Sequence, residues 1–168
     1  LGFPVVLKTL KENLHHKTEA NGVYTDIKNL TELKIKYNDI SKRLGKEVLI
    51  SKMINGGLEW SIGMKNDPDF GPAIMVSLGG TMIDLIDEKV LLMAPFSNQE
   101  LKMKIRELKS FKLLQGFRTS QKYSLEKLCE TASKLSFLAF DFREHLKEID
   151  LNPVIILEND AVAVDNVF

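Results

Sequence analysis

The chain has 168 residues and a mass of 19.0 kDa, with 44% hydrophobic and 27% charged residues, a globular composition that excludes a disordered, collagen-like or coiled-coil protein. Lys plus Arg and Asp plus Glu both number 23, so neither a general nucleic-acid surface nor an anionic-membrane binder is expected, and no apolar run is long enough to span a bilayer. One cysteine, Cys129, excludes an intrachain disulfide framework and points to a reducing, cytoplasmic setting.

The opening residues Leu1-Gly2-Phe3-Pro4 run at once into Val5-Val6-Leu7, a strand already under way, so a longer polypeptide is expected. Phe3 to Thr9 reads as the first strand and Gly22 to Asp26 as the second, with a polar loop between them that holds His15 and His16. Leu30, Leu33, Tyr37, Ile40 and Leu44 recur at helical spacing, Asn29 with Glu32 resembles a capping box, and Gly45 is a natural stop. Strand patterns follow at Glu47 to Ile54, Leu58 to Met64, Ala73 to Leu78, Met82 to Ile86 and Lys89 to Met93. Asn55-Gly56-Gly57, Asn66 to Asp69, Gly79-Gly80 and Asp87-Glu88 separate them, and such short connections imply antiparallel neighbours. Helices are predicted after Ser97, burying Leu101, Ile105 and Leu108, and after Ser124, burying Leu125, Leu128, Ala132, Leu135 and Ala139, with Cys129 a small hydrophobe beside that stripe. Strands at Lys147 to Leu151, Val154 to Leu157 and Ala161 to Val164 end the chain. The order indicates an α+β domain over residues 1–168, built on one substantial sheet.

Four local features carry candidate chemistry; there is no Walker A loop, dinucleotide fingerprint, HExxH or paired CxxC. Lys8 emerges from an apolar strand, where an ammonium needs an anionic partner unless it sits on an edge strand and snorkels into water. His15-His16-Lys17-Thr18 places imidazoles beside a lysine in a loop, a setting for a nucleophile, a base or a phosphate contact, or for plain solvation. Gly79 and Gly80 are small enough for backbone N–H groups to approach a phosphate, and otherwise form an ordinary turn. Glu148, Asp150 and Asn152 fall on one face of a strand with apolar flanks, and with Asp165 supply the hard oxygen ligands that Mg²⁺ accepts; a solvated sheet face is the alternative.

Taken in order, these features resemble the ATP-grasp domain of NDP-forming acyl-CoA synthetases, the acetate–CoA ligases (ADP-forming). The resemblance rests on Gly2 to Lys8, His16-Lys17-Thr18, Gly57 to Gly63 with Glu59, Asp67 to Pro72, Gly79-Gly80, Ala94-Pro95, Leu113 to Arg118, Glu148 to Pro153 and Ala163-Val164-Asp165. It implies an ATP-grasp fold, a mainly antiparallel sheet flanked by helices, with the lid subdomain incomplete in these residues. It also implies ATP/ADP and Mg²⁺ as cofactors, and coupling of acyl-CoA thioester chemistry to ATP through a phosphohistidine. The partner implied is a CoA-binding, phosphohistidine-bearing alpha subunit or fused domain, in an oligomeric complete enzyme; the segment alone is not expected to turn over. Carried over by position, Lys8 contacts nucleotide phosphates and His16 serves the phosphoryl relay. Ser51, Lys52 and Met53 sit at the adenine hinge, and Glu59, Gly79, Gly80 and Arg118 belong to the nucleotide site. Asp150, Asn152 and Asp165 bind Mg²⁺. The chain departs from the family pattern at Asn21, Ser77, Asp84, Leu92 and Thr119, which keeps a second reading open: a non-catalytic regulatory domain fused to a protein acetyltransferase.

Overall fold

The computed structural model describes residues 1–11, 20–80, 86–117 and 121–168. They form two compact units, Leu1–Asn55 and Gly56–Phe168, each with its own antiparallel sheet rather than the one substantial sheet expected.

In the first unit, β1 (Val5–Thr9) is the middle strand between β2 (Val23–Ile27) and β3 (Val48–Lys52). Helix α1 (Leu30–Leu44) covers the sheet, and its Ile40 closes a core with Val5, Leu7 and Ile27. The Asn29 side chain accepts from the Glu32 N–H at 2.9 Å, as expected of an N-cap, while Glu32 reaches one residue further back and accepts from the Lys28 N–H at 2.9 Å. Leu30 is 57% exposed and does not join the apolar stripe. Helical side chains lean toward the N-terminus, so a residue in the first position extends past the helix start.

A polar cluster ties α1 to β2. The Tyr24 hydroxyl donates to Asp39 at 2.6 Å, and Arg43 Nε donates to the same carboxylate at 3.1 Å. Arg43 also donates to the carbonyls of Ala20 (3.3 Å) and Asn21 (3.0 Å), next to the point where the Thr9 N–H closes onto the Gly22 carbonyl at 2.8 Å. Hydrogen bonds from Arg43 and then Tyr24 hold the Asp39 carboxyl down at about 2.

The second unit contains β4 (Leu58–Asp67), β5 (Gly71–Leu78), β6 (Lys89–Met93), β7 (Glu148–Ile156), β8 (Ala161–Ala163) and β9 (Asn166–Val167). The order is β6-β5-β4-β7-β8, with β9 also paired to β7, and every pair is antiparallel. The two strands expected around Asn152-Pro153 are thus one. Of the strand expected over Met82 to Ile86, residues 81–85 lie outside the described set, and Ile86 is not in a strand.

Helices α2 (Asn98–Glu107) and α4 (Leu125–Asp141) start at the predicted Ser97 and Ser124 caps, and a four-residue helix α3 (Phe111–Leu114), too short to show a period, lies between them. The Glu88 carboxylate accepts from the Lys109 and Ser110 N–H groups, fastening the start of β6 to α3. Trp60, Ile62, Ile74, Leu78, Leu101, Ile105, Leu128, Ala132 and Ile149 fill one core. Two serines on α4 share it. Ser133 Oγ donates to the Phe96 carbonyl at 2.8 Å, and Ser136 Oγ accepts from the Phe96 N–H at 3.2 Å, so a buried turn is satisfied by hydroxyls. Burial pushes the Cys129 thiol up to about 12, as suits an inert core cysteine. Among the described residues no helix is long and apolar enough to cross a membrane.

The Asp39 cluster sets a pH dependence. A carboxyl depressed in the folded state contributes stability above its ordinary value of 3.8 and loses it as pH falls toward about 2. Asp39→Asn is expected to lower the urea midpoint of the first unit at pH 6, and the gap from wild type is expected to close between about pH 4 and pH 2.

Candidate functional site

Alternation divides the second sheet into a core face and a polar face. Trp60, Ile62 and Met64 on β4 point into the core, as do Ile74, Val76 and Leu78 on β5, and Ile149 on β7. The intervening residues, Ser61, Gly63, Met75, Ser77, Glu148 and Asp150, occupy the other face.

A bulge in β7 organises that face. Trp60 pairs with Val154 and Ile62 with Leu151, so the single residue Ser61 opposes the two residues Asn152 and Pro153. A proline has no N–H to give to a ladder, and a bulge is where a sheet interior tolerates one. On the far side of β7, the Asn152 N–H donates to the Asp165 carbonyl at 3.2 Å and the Val164 N–H to the Pro153 carbonyl at 3.1 Å. The chain between β8 and β9 is thereby held beside the bulge, with Asp165 next to Asn152.

Asp150, two residues before Asn152, is half-buried. Its carboxyl is pushed up, first by that burial and then by the negative charges of Glu148 and Asp165. The structure therefore gathers Asp150, Asn152 and Asp165 at one place. Among the described residues, no three His, Cys, Asp or Glu side chains group tightly enough to hold a metal by themselves. Mg²⁺ takes one or two carboxylates and completes its shell with water and substrate phosphates. A crowded acid whose charged form is disfavoured is a donor set that a hard cation relieves, so the residues fit such an ion.

The first unit holds the candidate cation. Lys8 lies in the middle strand, across from Val23 and Leu49, and is only 8% exposed. The edge-strand, snorkelling reading is therefore corrected: β1 is paired on both sides, and Lys8 is buried rather than extended into water. Ser51 and Lys52 lie on β3, a true edge strand, and the Met53 N–H donates to the Pro4 carbonyl at 3.1 Å. Hydrogen-bonded and open positions alternate along an antiparallel pair, so the Lys52 backbone N–H and C=O face the outer edge. Met53 precedes the boundary between the units, which falls after Asn55.

Gly79 and Gly80 have a packing reason. The Gly79 N–H donates to the Glu59 carbonyl at 2.9 Å, and a Cβ there would lie 3.0 Å from the Trp60 carbonyl carbon. Gly80 has φ +62, and a Cβ would meet a Glu59 carboxylate oxygen at 2.1 Å. The Gly79 N–H is thus committed to protein rather than held ready for phosphate, and the glycines let the end of β5 close onto Glu59-Trp60. His16 and Arg118 lie outside the described residues. The sequence reading named Ser77 only as a departure from the family pattern and did not place its hydroxyl beside Ser61 on the polar face. The available signal was the two-residue alternation through Val76-Ser77-Leu78, which turns Ser77 away from the core.

The ATP-grasp domain family matches the chain over residues 1–168. The chain is 37% identical over 166 residues to the ADP-forming 4-hydroxybutyrate–CoA ligase of Nitrosopumilus maritimus, covering 94% of this chain and 24% of that protein. It is 34% identical over 173 residues to the beta subunit of ADP-forming acetate–CoA ligase I of Pyrococcus furiosus, covering 98% and 74%. It superimposes with a TM-score of 0.87 and 32% identity on the dinucleotide-forming acetyl-coenzyme A synthetase 1 of Candidatus Korarchaeum cryptofilum in complex with coenzyme A and Mg-AMPPCP, covering 98% of this chain and 75% of that one. In that complex a phosphohistidine segment points towards the nucleotide binding site. The chain thus spans about a quarter of the first relative and three quarters of the other two.

The two glycines separate on mutation. Gly79→Ala is expected to destabilise by about 1–3 kcal/mol, because the obstacle is the Trp60 backbone. Gly80→Ala is expected to cost about 1 kcal/mol, since the Glu59 carboxylate can swing away and only the left-handed backbone remains unfavourable. Urea denaturation of both variants tests the order.

Proposed function

This chain belongs to the ATP-grasp domain family, and from that premise we propose that it forms the nucleotide-binding part of an ADP-forming acyl-CoA synthetase. In this reading acyl-CoA, ADP and phosphate interconvert with the free acid, CoA and ATP. A CoA-binding, phosphohistidine-bearing subunit or fused domain supplies the phosphoryl group. The observation that carries it is the bulge-built set of Asp150, Asn152 and Asp165 in the second unit. The relatives' names, which include 4-hydroxybutyrate– and acetate–CoA ligases and a trans-feruloyl-CoA synthase, support a carboxylate as the acyl substrate. A lone, buried cysteine supports a cytoplasmic, reducing setting.

Phosphoryl transfer needs positioning and charge neutralisation more than covalent help, and this chain's residues divide that work. Lys8 places an ammonium in a low-dielectric strand, where attraction to a phosphate is stronger than in water. The edge of β3 at Lys52 offers an N–H and a C=O side by side, the donor and acceptor pattern that reads the edge of a purine. Asp150 and Asp165, with the Asn152 amide, would hold Mg²⁺. When bound, that ion neutralises phosphate charge and fixes the phosphate chain. His16 is assigned the relay: its neutral imidazole accepts the phosphoryl group from the partner's phosphohistidine and passes it to an ADP oxygen. Arg43 pins the Ala20 and Asn21 carbonyls, which fixes the point at which the segment bearing His16 rejoins β2.

The test uses the complete protein. Lys8→Ala is expected to weaken Mg·ADP binding by about 1.5–3 kcal/mol in calorimetry, the value of a charge-assisted hydrogen bond. His16→Ala is expected to abolish ATP formation from acyl-CoA, ADP and phosphate while binding stays near wild type, and His15→Ala to change little. Wild-type levels of turnover in the His16 variant would remove the relay assignment, and absence of nucleotide binding by the wild type would remove the whole reading.

A further inference from the structure

The polar face of the second sheet carries a row of side chains that runs across its strands. Ser77 on β5 pairs with Lys89 on β6 and, on its other side, with Ser61 on β4. Ser61 opposes the bulge residues Asn152 and Pro153, and Asn152 lies against Asp165. Lys89 is exposed and ion-paired to Asp87 at 3.3 Å. Ser77 is only 5% exposed, and its hydroxyl has no hydrogen-bond partner among the described residues. Alternation turns it away from the core side chains Val76 and Leu78 and towards the polar face. An apolar residue would fill that floor without leaving a desolvated hydroxyl, so a buried hydroxyl without a partner asks for an explanation.

We propose that Ser77 is a ligand-binding residue whose hydroxyl donates to a phosphate oxygen of the metal-bound nucleotide. The assignment rests on the ATP-grasp reading above and adds to it a residue and the group that it contacts. Strand spacing places Ser77 one strand, about 4.8 Å, from Lys89 and two strands, about 10 Å, from the Asn152 bulge. An anion extending from a cation held at Asp150, Asn152 and Asp165 towards Lys89 passes over Ser61 and Ser77. These are short side chains on the floor of the face, and at that point a hydroxyl acts as a neutral donor that adds no charge of its own. Ligand binding satisfies the hydroxyl, so the cost of leaving it bare is borne only by the ligand-free protein.

That asymmetry gives the test two readouts with opposite signs. In the complete protein, Ser77→Ala is expected to lower Mg·ADP affinity by about five- to tenfold in calorimetry, with adenosine affinity unchanged. The melting temperature of the ligand-free variant is expected to equal or exceed that of wild type, because an orphaned polar atom has been removed. Unchanged Mg·ADP affinity overturns the assignment. So does an equal loss for adenosine, which would put the contact on the nucleoside, and so does a lower ligand-free melting temperature, which would make the hydroxyl structural. Wild-type protein that binds neither ligand overturns the underlying reading and Ser77 with it, an outcome distinct from wild type that binds while the variant binds equally well.

Discussion

The bulge at Asn152-Pro153 is the constraint on which the polar face of the second sheet depends. A proline inside a sheet removes a ladder donor, and the strand answers by setting two residues against the single Ser61. The extra residue has two consequences. It releases the Asn152 N–H to the other side of β7, where the Asp165 carbonyl receives it. It also lets β7 continue as one strand, so that Ile149 before the bulge and Val154 and Ile156 after it all reach the core face. One irregularity thus keeps the hydrophobic register on one side and gathers oxygen donors on the other.

Electrostatics follow from this packing. Asp150 stands half-buried near two other acids, and its carboxyl is pushed up first by that burial and then by the charges of Glu148 and Asp165. Asp39 in the first unit shows the opposite arrangement, an exposed carboxylate held low by Arg43 and Tyr24. The Asp39 carboxylate is stabilised by donors within its own unit, while burial and neighbouring acids disfavour the charged form of Asp150. The first arrangement is a fastening that joins α1 to β2; the second is the one to which the proposed function assigns the cation.

Much of the fold was legible in the sequence because its punctuation is strong. Asn29, Ser97 and Ser124 marked helix starts that the structure keeps, and β6 spans the very residues expected. The misreadings have physical causes. Pro153 read as a strand end because its missing N–H is a local signal, whereas the bulge that accommodates it depends on β4, some ninety residues earlier in the chain. Lys8 read as an edge residue because one strand does not reveal its neighbours, and only the pairing with both β2 and β3 makes it a middle-strand lysine. Helix α3 is too short to display a period. In the candidate site, the residue types at Asp150, Asn152 and Asp165 were visible as oxygen donors. Gly79 looked like a phosphate cradle until the tertiary contact with Glu59 and Trp60 supplied its reason.

The most direct test of the account is a crystal structure of the complete protein with ADP and Mn²⁺ in place of Mg²⁺, with the metal located by its anomalous signal. The account expects the ion against the β7 bulge, with carboxylate oxygens of Asp150 and Asp165 at coordination distance, about 2.0–2.1 Å for the Mg²⁺ form. A bound ion ligated by other residues, with Asp150 and Asp165 left facing solvent, would contradict it.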